Sequence, residues 1–580
     1  MPLDSRPHGR IPVAGILLAL GFGALLLWPA VVLGDSLSAN APPAQYRGPS
    51  GDVQGRGPAL FENSTSTEPV RSSEGWARWE FWFEHEKDAL LRHAMERRLP
   101  ATITGPGLPE NVGILVSGPT DADVRDRVLP VLRAALKDPS APVRAAAALA
   151  LGEAHDDDSL PALSDMLRSA AAPERRAAAL SLGFLGGAPA VVPLARALEQ
   201  DSDASVRALA AIGIGLAGDG SGAAPLRSAL ARALEVSGRE AREIRAAAVT
   251  GLGLLEDRAA VPLLQRVLVG DVRDDRARAH AAAALGRIAD PAGIPPLLTV
   301  LAGDGDAAVR RSAALALGSF KDPVAAAALL KAVEGDGDAL VRGFAAVGYA
   351  RSAGRAAAAD LASFTSVRHD RSLRGFAAVA LGLTEDPGAA SPVLRAILES
   401  RAEDSLRGAA AVGLGLLGDR AALEDLAALS RDASGSPELR GYALLGASLT
   451  GNPDARDLVR ESLSKKSSPA VHRAAALAAG VRPFPGSAGM LVRVLLEHRD
   501  PTVRGAALLG IGLSPDRGGI PLLADIASED SGAPSAERAA AVTALGQMSM
   551  RGALPPAARV GAGVDYQDMT AAMEVVSRVF

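Results

Sequence analysis

The sequence holds few groups that could do chemistry, and they are scattered. It has 580 residues, eight His and no Cys, which excludes disulfides, thiolate metal ligands and Cys nucleophiles. His adjoins acidic side chains at His85-Glu86 and at His155-Asp156-Asp157-Asp158. We interpret both groups as solvated, with a metal site at the first and a cation site at the second as the alternatives, since no zinc motif, phosphate-binding loop or Ser-His-Asp order accompanies them. The sequence therefore predicts no catalytic residue, no metal ligand and no bound cofactor.

A different residue type recurs with regular spacing. From residue 121 onward a ten-residue pattern returns thirteen times at a nearly constant interval, as in VRAAAALALG at 143–152 and VRRSAALALG at 309–318. Its second position is His472 in the eleventh copy and Arg in the other twelve. The twelve are Arg144, Arg175, Arg207, Arg245, Arg278, Arg310, Arg342, Arg374, Arg407, Arg440, Arg504 and Arg538.

These Arg residues are usually preceded by an acid four to six positions earlier, as Asp304 and Asp306 precede Arg310. Because the guanidinium can bridge carboxylates or loop carbonyls, a row of repeats in one register would align these charges into a structural ladder. An anion-binding row is the alternative, although the nearby acids almost cancel the Arg charge.

The elements that carry the Arg residues follow from the rest of the pattern. Ala-rich segments favour helix, and the closing Gly favours helix termination. A short polar loop leads to a second helix, often with Pro in its first turn and apolar residues at i, i+3 and i+4, as in Val261, Leu264 and Leu268. Each unit is then a helical hairpin too apolar to stand alone. We predict an all-α protein: an α-solenoid of about thirteen stacked repeats, elongated and curved, with a contour of about 130 Å.

The blocks with Val-Arg-x-x-Ala-Ala-x-Ala-Leu-Gly, and second helices such as 260–264, resemble the HEAT-repeat family of the armadillo type. The resemblance is strongest to its short phycobilisome-lyase-like variant (PBS lyase HEAT-like repeats) and covers roughly residues 121–550. It implies protein binding by a scaffold. The deoxyhypusine hydroxylase branch of that family holds iron on four His-Glu pairs, whereas this chain has one, His85-Glu86, ahead of the array.

The N-terminal residues have the layout of an export signal. Arg6 and Arg10 precede a stretch without charge at 11–34, whose apolar run at 16–33 is just long enough to cross a bilayer. We predict that 1–34 is a signal peptide, with an uncleaved transmembrane anchor and a buried core helix as alternatives. Residues 35–73 are rich in Pro, Gly and Ser and predict a disordered linker.

Two segments flank the predicted array. Residues 74–120 begin with Trp76, Trp79 and Trp82, after which the chain has no further Trp. Trp76, Trp79, Phe83 and Leu90 have helical spacing, which favours a capping helix over the open end of the array; a docking surface for a partner is the alternative. Residues 551–580 are interpreted as a loop and a C-terminal capping helix, with a partner-binding tail as the alternative.

Charge and composition limit the function. The formal net charge is −5, which argues against nucleic acid as a partner. We expect an exported scaffold, in the periplasm or bacterial cell envelope, that binds a protein or envelope component along its concave surface. Membrane contact is expected only through 11–34. The alternatives are a lyase or oxidoreductase of the same family and a passive spacer, and we expect that the chain is not an enzyme.

Overall fold

The structure is a computed structural model. It describes residues 79–96 and 119–550, except 271–273, 465–466 and 515. The predicted leader (1–34), the linker (35–73), Trp76 and the C-terminal segment (551–580) lie outside the described residues. Within the described part the chain forms helices, turns and bends without any strand, which confirms the all-α class.

The described array consists of thirteen hairpins, numbered here as repeats 1 to 13. The helices that carry the recurrent Arg or His are α3 (Ala141–Glu153), α5 (Ala172–Leu185), α7 (Ala204–Ala217), α9 (Arg239–Leu254), α11 (Asp275–Ile288), α13 (Ala307–Leu317), α15 (Ala339–Ala353), α17 (Arg371–Leu381), α19 (Asp404–Leu417), α21 (Pro437–Leu449), α23 (Pro469–Val481), α25 (Pro501–Leu513) and α27 (Ser535–Ser549). They form one continuous row, each packed against the next. We call them the inner helices.

The outer helix of each repeat precedes the inner one. The outer helices are α2 (Leu129–Ala135), α4 (Leu160–Met166), α6 (Gly187–Gln200), α8 (Ala223–Glu235), α10 (Val261–Val269), α12 (Ile294–Gly303), α14 (Pro323–Gly335), α16 (Ala358–Phe364), α18 (Pro387–Glu399), α20 (Leu423–Arg431), α22 (Ala455–Ser464), α24 (Ser487–Glu497) and α26 (Ile520–Ala527). Asp121–Asp123 and the π-helical segment Val124–Val128 lead into α2. The confirmed architecture is therefore an α-solenoid.

Small residues set the curvature of the solenoid. At Gly183 an added Cβ would lie 2.7 Å from the Cα of Gly213, and at Gly318 it would lie 2.7 Å from the Cα of Gly348. Inner helices thus approach backbone to backbone, while the outer helices, which carry larger residues, pack less closely on one another. Each repeat is a wedge, and a constant small rotation per repeat accumulates along the row.

The solenoid closes into a ring. Helix α27 of repeat 13 packs against α3 of repeat 1 as extensively as neighbouring inner helices do elsewhere. Both carboxylate oxygens of Asp138 accept a hydrogen bond from Nη2 of Arg538, each at 3.0 Å. An added Cβ at Gly546 would lie 2.6 Å from the Cα of Ala150. The elongated outline predicted from the repeat count is thus corrected: thirteen wedges of about 28° complete a circle.

The Trp-bearing helix α1 (Trp79–Glu96) lies inside this ring. It packs against the inner helices α17, α19, α21 and α23, which belong to repeats 8 to 11. The predicted position of this segment over the open end of the array differs from the structure, since repeat 13 already covers repeat 1. We call α1 the lumen helix.

Candidate functional site

The inner wall of repeats 8 to 11 is the candidate site, because it binds a helix from elsewhere in the chain. Trp79 stands at its centre, with 1% of its surface exposed. Its ring lies 4.9 Å from that of Tyr442, centroid to centroid, in a tilted arrangement. Its Nε1 donates to the carbonyl oxygen of Ser405 at 3.1 Å and to the Ser405 Oγ at 3.0 Å. The indole therefore has both apolar and polar partners on the wall.

The next turn of the lumen helix extends the aromatic contact. The ring of Trp82 lies 6.0 Å from that of Phe376, which meets Phe344 edge to face at 5.8 Å. Phe83 meets Tyr442 edge to face at 6.0 Å. Each aromatic pair of this kind stabilises the packed state by about 0.5–1.5 kcal/mol, in addition to the free energy gained by burying the two rings. Phe344, Phe376 and Tyr442 occupy the same position in repeats 7, 8 and 10, two places after the recurrent Arg.

Glycine residues make room for these rings. Residues 343, 375, 408 and 441 follow the recurrent Arg in repeats 7 to 10, and all four are Gly. A Cβ at Gly375 would lie 2.3 Å from Cδ1 of Trp79, and a Cβ at Gly343 would lie 2.4 Å from Cδ2 of Phe376. The Arg-Gly-aromatic sequences could have predicted this wall. The sequence prediction considered only their Arg residues and therefore did not include the wall.

Buried charges join the lumen helix to two further places on the wall. Oε1 of Glu84 accepts a hydrogen bond from Nη2 of Arg473 at 2.8 Å, and Oε2 accepts one from Lys87 at 2.8 Å. Burial would raise the pKa of Glu84, but the charges and hydrogen bonds of Arg473 and Lys87 outweigh burial and lower it. Glu84 is therefore ionised at neutral pH.

Glu86 is held differently. Its Oε2 lies 3.6 Å from Nη2 of Arg351, a longer separation than a hydrogen bond. Burial raises the pKa of Glu86 to about 7, although the charges of Arg351 and Arg287 act to lower it. Burial also lowers the pKa of the Arg351 guanidinium. For Glu86 and Arg351, the free-energy cost of removing both charges from water therefore exceeds the gain from their attraction to each other.

The structure places the predicted chemical groups as follows. Trp79 and Trp82, named as candidates for partner binding, contact the chain's own ring. His85 and Glu86 are buried rather than solvated, with 4% and 1% of their surfaces exposed, because the lumen helix lies within the ring. Among the described residues no group of three or more His, Asp or Glu side chains is arranged to hold a metal ion.

The acidic loop after His155 has a structural role. Arg133 of α2 donates to Asp156 and, at 2.8 Å, to Asp158, and a ring nitrogen of His155 lies 3.1 Å from the carbonyl oxygen of Leu185. In repeat 5, the buried His280 lies with Nδ1 3.1 Å from the Thr250 hydroxyl. These groups link neighbouring repeats.

The recurrent Arg residues form ion pairs between successive repeats. Arg310 donates through Nε and Nη2 to the two carboxylate oxygens of Asp336, each at 2.9 Å, and through Nη1 to the Asp304 carbonyl at 2.8 Å. Each such pair is called a rung here. The rungs in the described part of the chain are Arg144–Glu174, Arg175–Asp201, Arg207–Glu240, Arg245–Asp274, Arg278–Asp304, Arg310–Asp336, Arg342–Asp370, Arg374–Glu403 and Arg538–Asp138.

The acids in an Asp-x-Asp sequence have separate roles. Asp304 accepts the guanidinium of the preceding repeat, whereas Asp306 caps the N-terminus of α13 by accepting from the backbone N–H groups of Ala308 and Val309. The recurrent Arg therefore pairs with an acid of the next repeat, not with the acid just before it in sequence. Arg407, Arg440 and Arg504 have no such pair among the residues that the structure describes.

Sequence comparison agrees with this repeat geometry. The family profile described as "HEAT repeats" matches residues 121–183, 231–301 and 271–350. The profile described as "PBS lyase HEAT-like repeat" matches residues 174–200. Residues 121–200 and 231–350 of the array therefore match models of HEAT-type repeats. No curated protein sequence matches the chain.

Solved structures are also similar to parts of this chain. A chain of the CpcE–CpcF complex of phycocyanin lyase from Nostoc sp. is 24% identical, with a TM-score of 0.29; the match covers 49% of this chain and 99% of that one. Human deoxyhypusine hydroxylase is 20% identical, with a TM-score of 0.22, and the match covers 52% and 98%. For Kap121p the values are 13% identity, a TM-score of 0.33, and coverage of 77% and 55%.

Membrane insertion was predicted only for residues 11–34, which the structure does not describe. Among the described helices of the ring and the lumen helix, none combines the length and apolar character that a bilayer crossing requires.

Proposed function

We propose that the chain is an exported HEAT-repeat scaffold that binds a protein partner through the inner wall of its ring. One observation carries the proposal: the wall of repeats 8 to 11 already binds a helix that is distant in sequence. It does so by aromatic stacking, by the Ser405 bonds to Trp79 and by the Glu84–Arg473 pair. Contacts of these kinds are typical of the binding of a helix in a groove of a partner protein.

The contacts of the lumen helix define the partner that the wall would accept. It would present a helix with aromatic residues at i, i+3 and i+4, in the manner of Trp79, Trp82 and Phe83, and an acidic residue directed at Arg473. The lumen helix occupies this place in the present structure. A partner helix would therefore bind in exchange for it, and affinity would depend on how easily the lumen helix leaves.

Export is the second part of the proposal. It is supported by Arg6 and Arg10 ahead of the apolar run at 16–33. Mass spectrometry of the mature N-terminus in the producing cell tests it: removal of 1–34, or recovery of the intact chain in the membrane fraction, supports export. An intact chain in the cytosolic fraction would contradict it.

Photo-crosslinking in the native cell tests partner binding. A benzoylphenylalanine is placed at Phe376 on the inner wall, with a matched probe at Val367, which is 87% exposed. We expect one partner species to be captured from position 376 and not from 367. Capture should increase when Trp79→Ala loosens the lumen helix. Adducts to the lumen helix alone, in both backgrounds, would overturn the proposal in favour of a passive spacer.

A further inference from the structure

The loops that join each inner helix to the next outer helix form one rim of the ring. The twelfth residue after the recurrent Arg or His stands in these loops. In eight repeats it is an acid: Asp156, Asp219, Asp257, Asp290, Asp322, Asp386, Asp419 or Asp516. The loop that leads into repeat 11 has Asn452 at this place, and the loop that leads into repeat 12 has Phe484. Two adjacent loops therefore lack the acid that most of the others have.

The same part of the rim carries Arg at places that are uncharged in every other repeat. Arg482 is the tenth residue after His472; in the other twelve repeats this residue is Ala, Leu, Ile, Phe, Met, Ser or Thr. Arg456 is the sixteenth residue after Arg440; in the other twelve repeats it is Ala, Leu, Val or Ile. Packing of the solenoid does not require a guanidinium group at either place, since other repeats pack without one.

The structure brings these two guanidinium groups close to that of Arg420. Nε of Arg482 donates to the carbonyl oxygen of Ser448 at 3.0 Å. Nδ2 of Asn452 donates to the carbonyl oxygen of Arg420 at 3.3 Å, so the loops of neighbouring repeats are joined. The pKa of Arg482 is lowered to about 10, first by burial and then by the positive charges of Arg456 and Arg420. We call Arg420, Arg456 and Arg482 the arginine cluster.

No carboxylate pairs with the arginine cluster in the part of the chain that the structure describes. Nε of Arg456 is buried there without a hydrogen-bond partner. The acids next in sequence are engaged with other residues. Asp419 accepts from Nε and Nη2 of Arg395, each at 3.1 Å, and Asp457 pairs with Arg460 at 2.9 Å. Three positive charges from neighbouring repeats therefore meet without a balancing acid among the described side chains.

We propose that the arginine cluster binds a phosphate group. A guanidinium group can donate two parallel hydrogen bonds to phosphate. A phosphate monoester has a charge of about −1.5 to −2 at pH 7 and three acceptor oxygens, so it can pair with several guanidinium groups at once, whereas a carboxylate has one charge and two oxygens. The cluster lies on the rim and shares no residue with the inner wall. The inference therefore goes beyond the proposed function and does not depend on it.

Isothermal titration calorimetry of the full chain with inorganic phosphate tests the proposal, with acetate at equal ionic strength as the control ligand. We expect about one phosphate bound per chain and about tenfold weaker binding of acetate. Arg482→Gln should weaken phosphate binding about tenfold or more, because a partly buried charged donor is lost. Arg420→Gln, at an exposed position, should weaken it about two- to fivefold.

Arg258→Gln is the matched control for Arg420→Gln. Both residues are exposed, and each is the thirteenth residue after a recurrent Arg. The places that correspond to Arg456 and Arg482 hold Ile294 and Phe320 in the repeats after Arg258. We expect both variants to keep the helical circular dichroism and Arg258→Gln to leave the phosphate affinity unchanged. Equal weakening by the two variants, or equal affinity for acetate and phosphate, would overturn the proposal.

Sedimentation with vesicles separates a lipid headgroup from a soluble phosphate compound as the source of the group. The vesicles contain phosphatidylcholine alone or with phosphatidic acid. Extra binding to phosphatidic acid that is lost in Arg482→Gln would assign the cluster to a lipid headgroup. Calorimetric binding of phosphate without such extra binding would assign it to a soluble ligand. If a folded chain shows neither, the cluster is not a phosphate site.

Discussion

Repeats 1 to 8 and repeats 8 to 11 share one backbone plan but are held together differently. In the first region each repeat contributes an Arg that pairs with an acid of the next. In the second region the described chain has no Arg–acid rung after repeat 8. Instead, one helix lies across four inner helices and contacts them through Trp79, Trp82 and Glu84. The difference shows that a repeat boundary can be stabilised either by a rung between neighbouring repeats or by a helix bound in the lumen. A lumen contact, unlike a rung, can be exchanged for another helix.

The seam between repeats 13 and 1 extends this comparison, because no chain connection supports it. We expect Asp138→Asn to open the ring, since Asp138 is 3% exposed and its loss leaves Arg538 without a counter-charge, at a cost of about 3–5 kcal/mol. Small-angle X-ray scattering should show a larger radius of gyration. Asp336→Asn removes the same interaction where the chain is continuous and should leave the radius unchanged. An unchanged radius in both variants would mean that closure depends on apolar packing alone.

The largest single contribution inside the ring is expected from Trp79. Trp79→Ala should weaken lumen-helix binding by about 3–5 kcal/mol, because the substitution leaves a cavity between Tyr442 and Gly375. Hydrogen exchange measured by mass spectrometry on the peptide covering 79–91 gives the opening free energy of this helix alone. Val367→Ala, at a highly exposed outer site, is the control. Unchanged protection in the Trp79 variant would contradict the assigned packing.

The lumen helix should bind more tightly in acid. Glu86 has a pKa of about 7 in the folded state and 4.5 as its ordinary value. A raised pKa means that its contribution is complete below pH 4.5 and is lost as the pH rises through 7, by about 3 kcal/mol in all. Hydrogen exchange of the same peptide at pH 5 and pH 8, corrected for intrinsic rates, should show this loss. Glu86→Gln should abolish the difference; an equal dependence in that variant would assign it to other groups.

The seam also contains a buried group that acts against closure. Both carboxylate oxygens of Glu153 are buried without a hydrogen-bond partner in the described chain, beside Gly546, and burial raises the pKa of Glu153 well above its usual range. Glu153→Gln should stabilise closure at pH 8 by about 1–3 kcal/mol, the cost of burying an unsatisfied polar group. The urea midpoint at pH 8 measures this. No gain at pH 8 would show that solvent reaches the carboxylate.

The repeats could be predicted from the sequence, but their closure into a ring could not. A regular period with Arg at a fixed place predicts stacked hairpins, since each hairpin is too apolar to stand alone. Closure depends on the value of the rotation per repeat, because a difference of a few degrees would change a ring into an open coil without changing any local pattern. The contrast between Ala- and Gly-rich inner helices and bulkier outer helices indicated strong curvature, but not its exact value.

The position of the lumen helix was predictable in part. Helical spacing of Trp76, Trp79, Phe83 and Leu90 indicated an apolar stripe that needs a covering surface. The structure buries Trp79, Phe83 and Leu90. That surface was expected at the end of the array because an open solenoid exposes an end. The Arg-Gly-Phe and Arg-Gly-Tyr sequences at 342–344, 374–376 and 440–442 pointed to the interior instead, since bulky rings beside Gly leave room for a partner.

The smallest effect is expected from adding to repeats 9 and 10 a rung of the kind found in repeats 1 to 8. Ala433 stands at the same distance after Arg407 as Asp336 does after Arg310. Ala433→Asp should therefore complete a rung between repeats 9 and 10 and raise the free energy of unfolding by less than about 1 kcal/mol, because both groups remain partly exposed. Urea denaturation at low salt measures the gain, which should vanish at about 1 M NaCl. Ala433→Asn controls for local turn propensity; an equal gain with Asn would place the effect in the turn and not in the ladder.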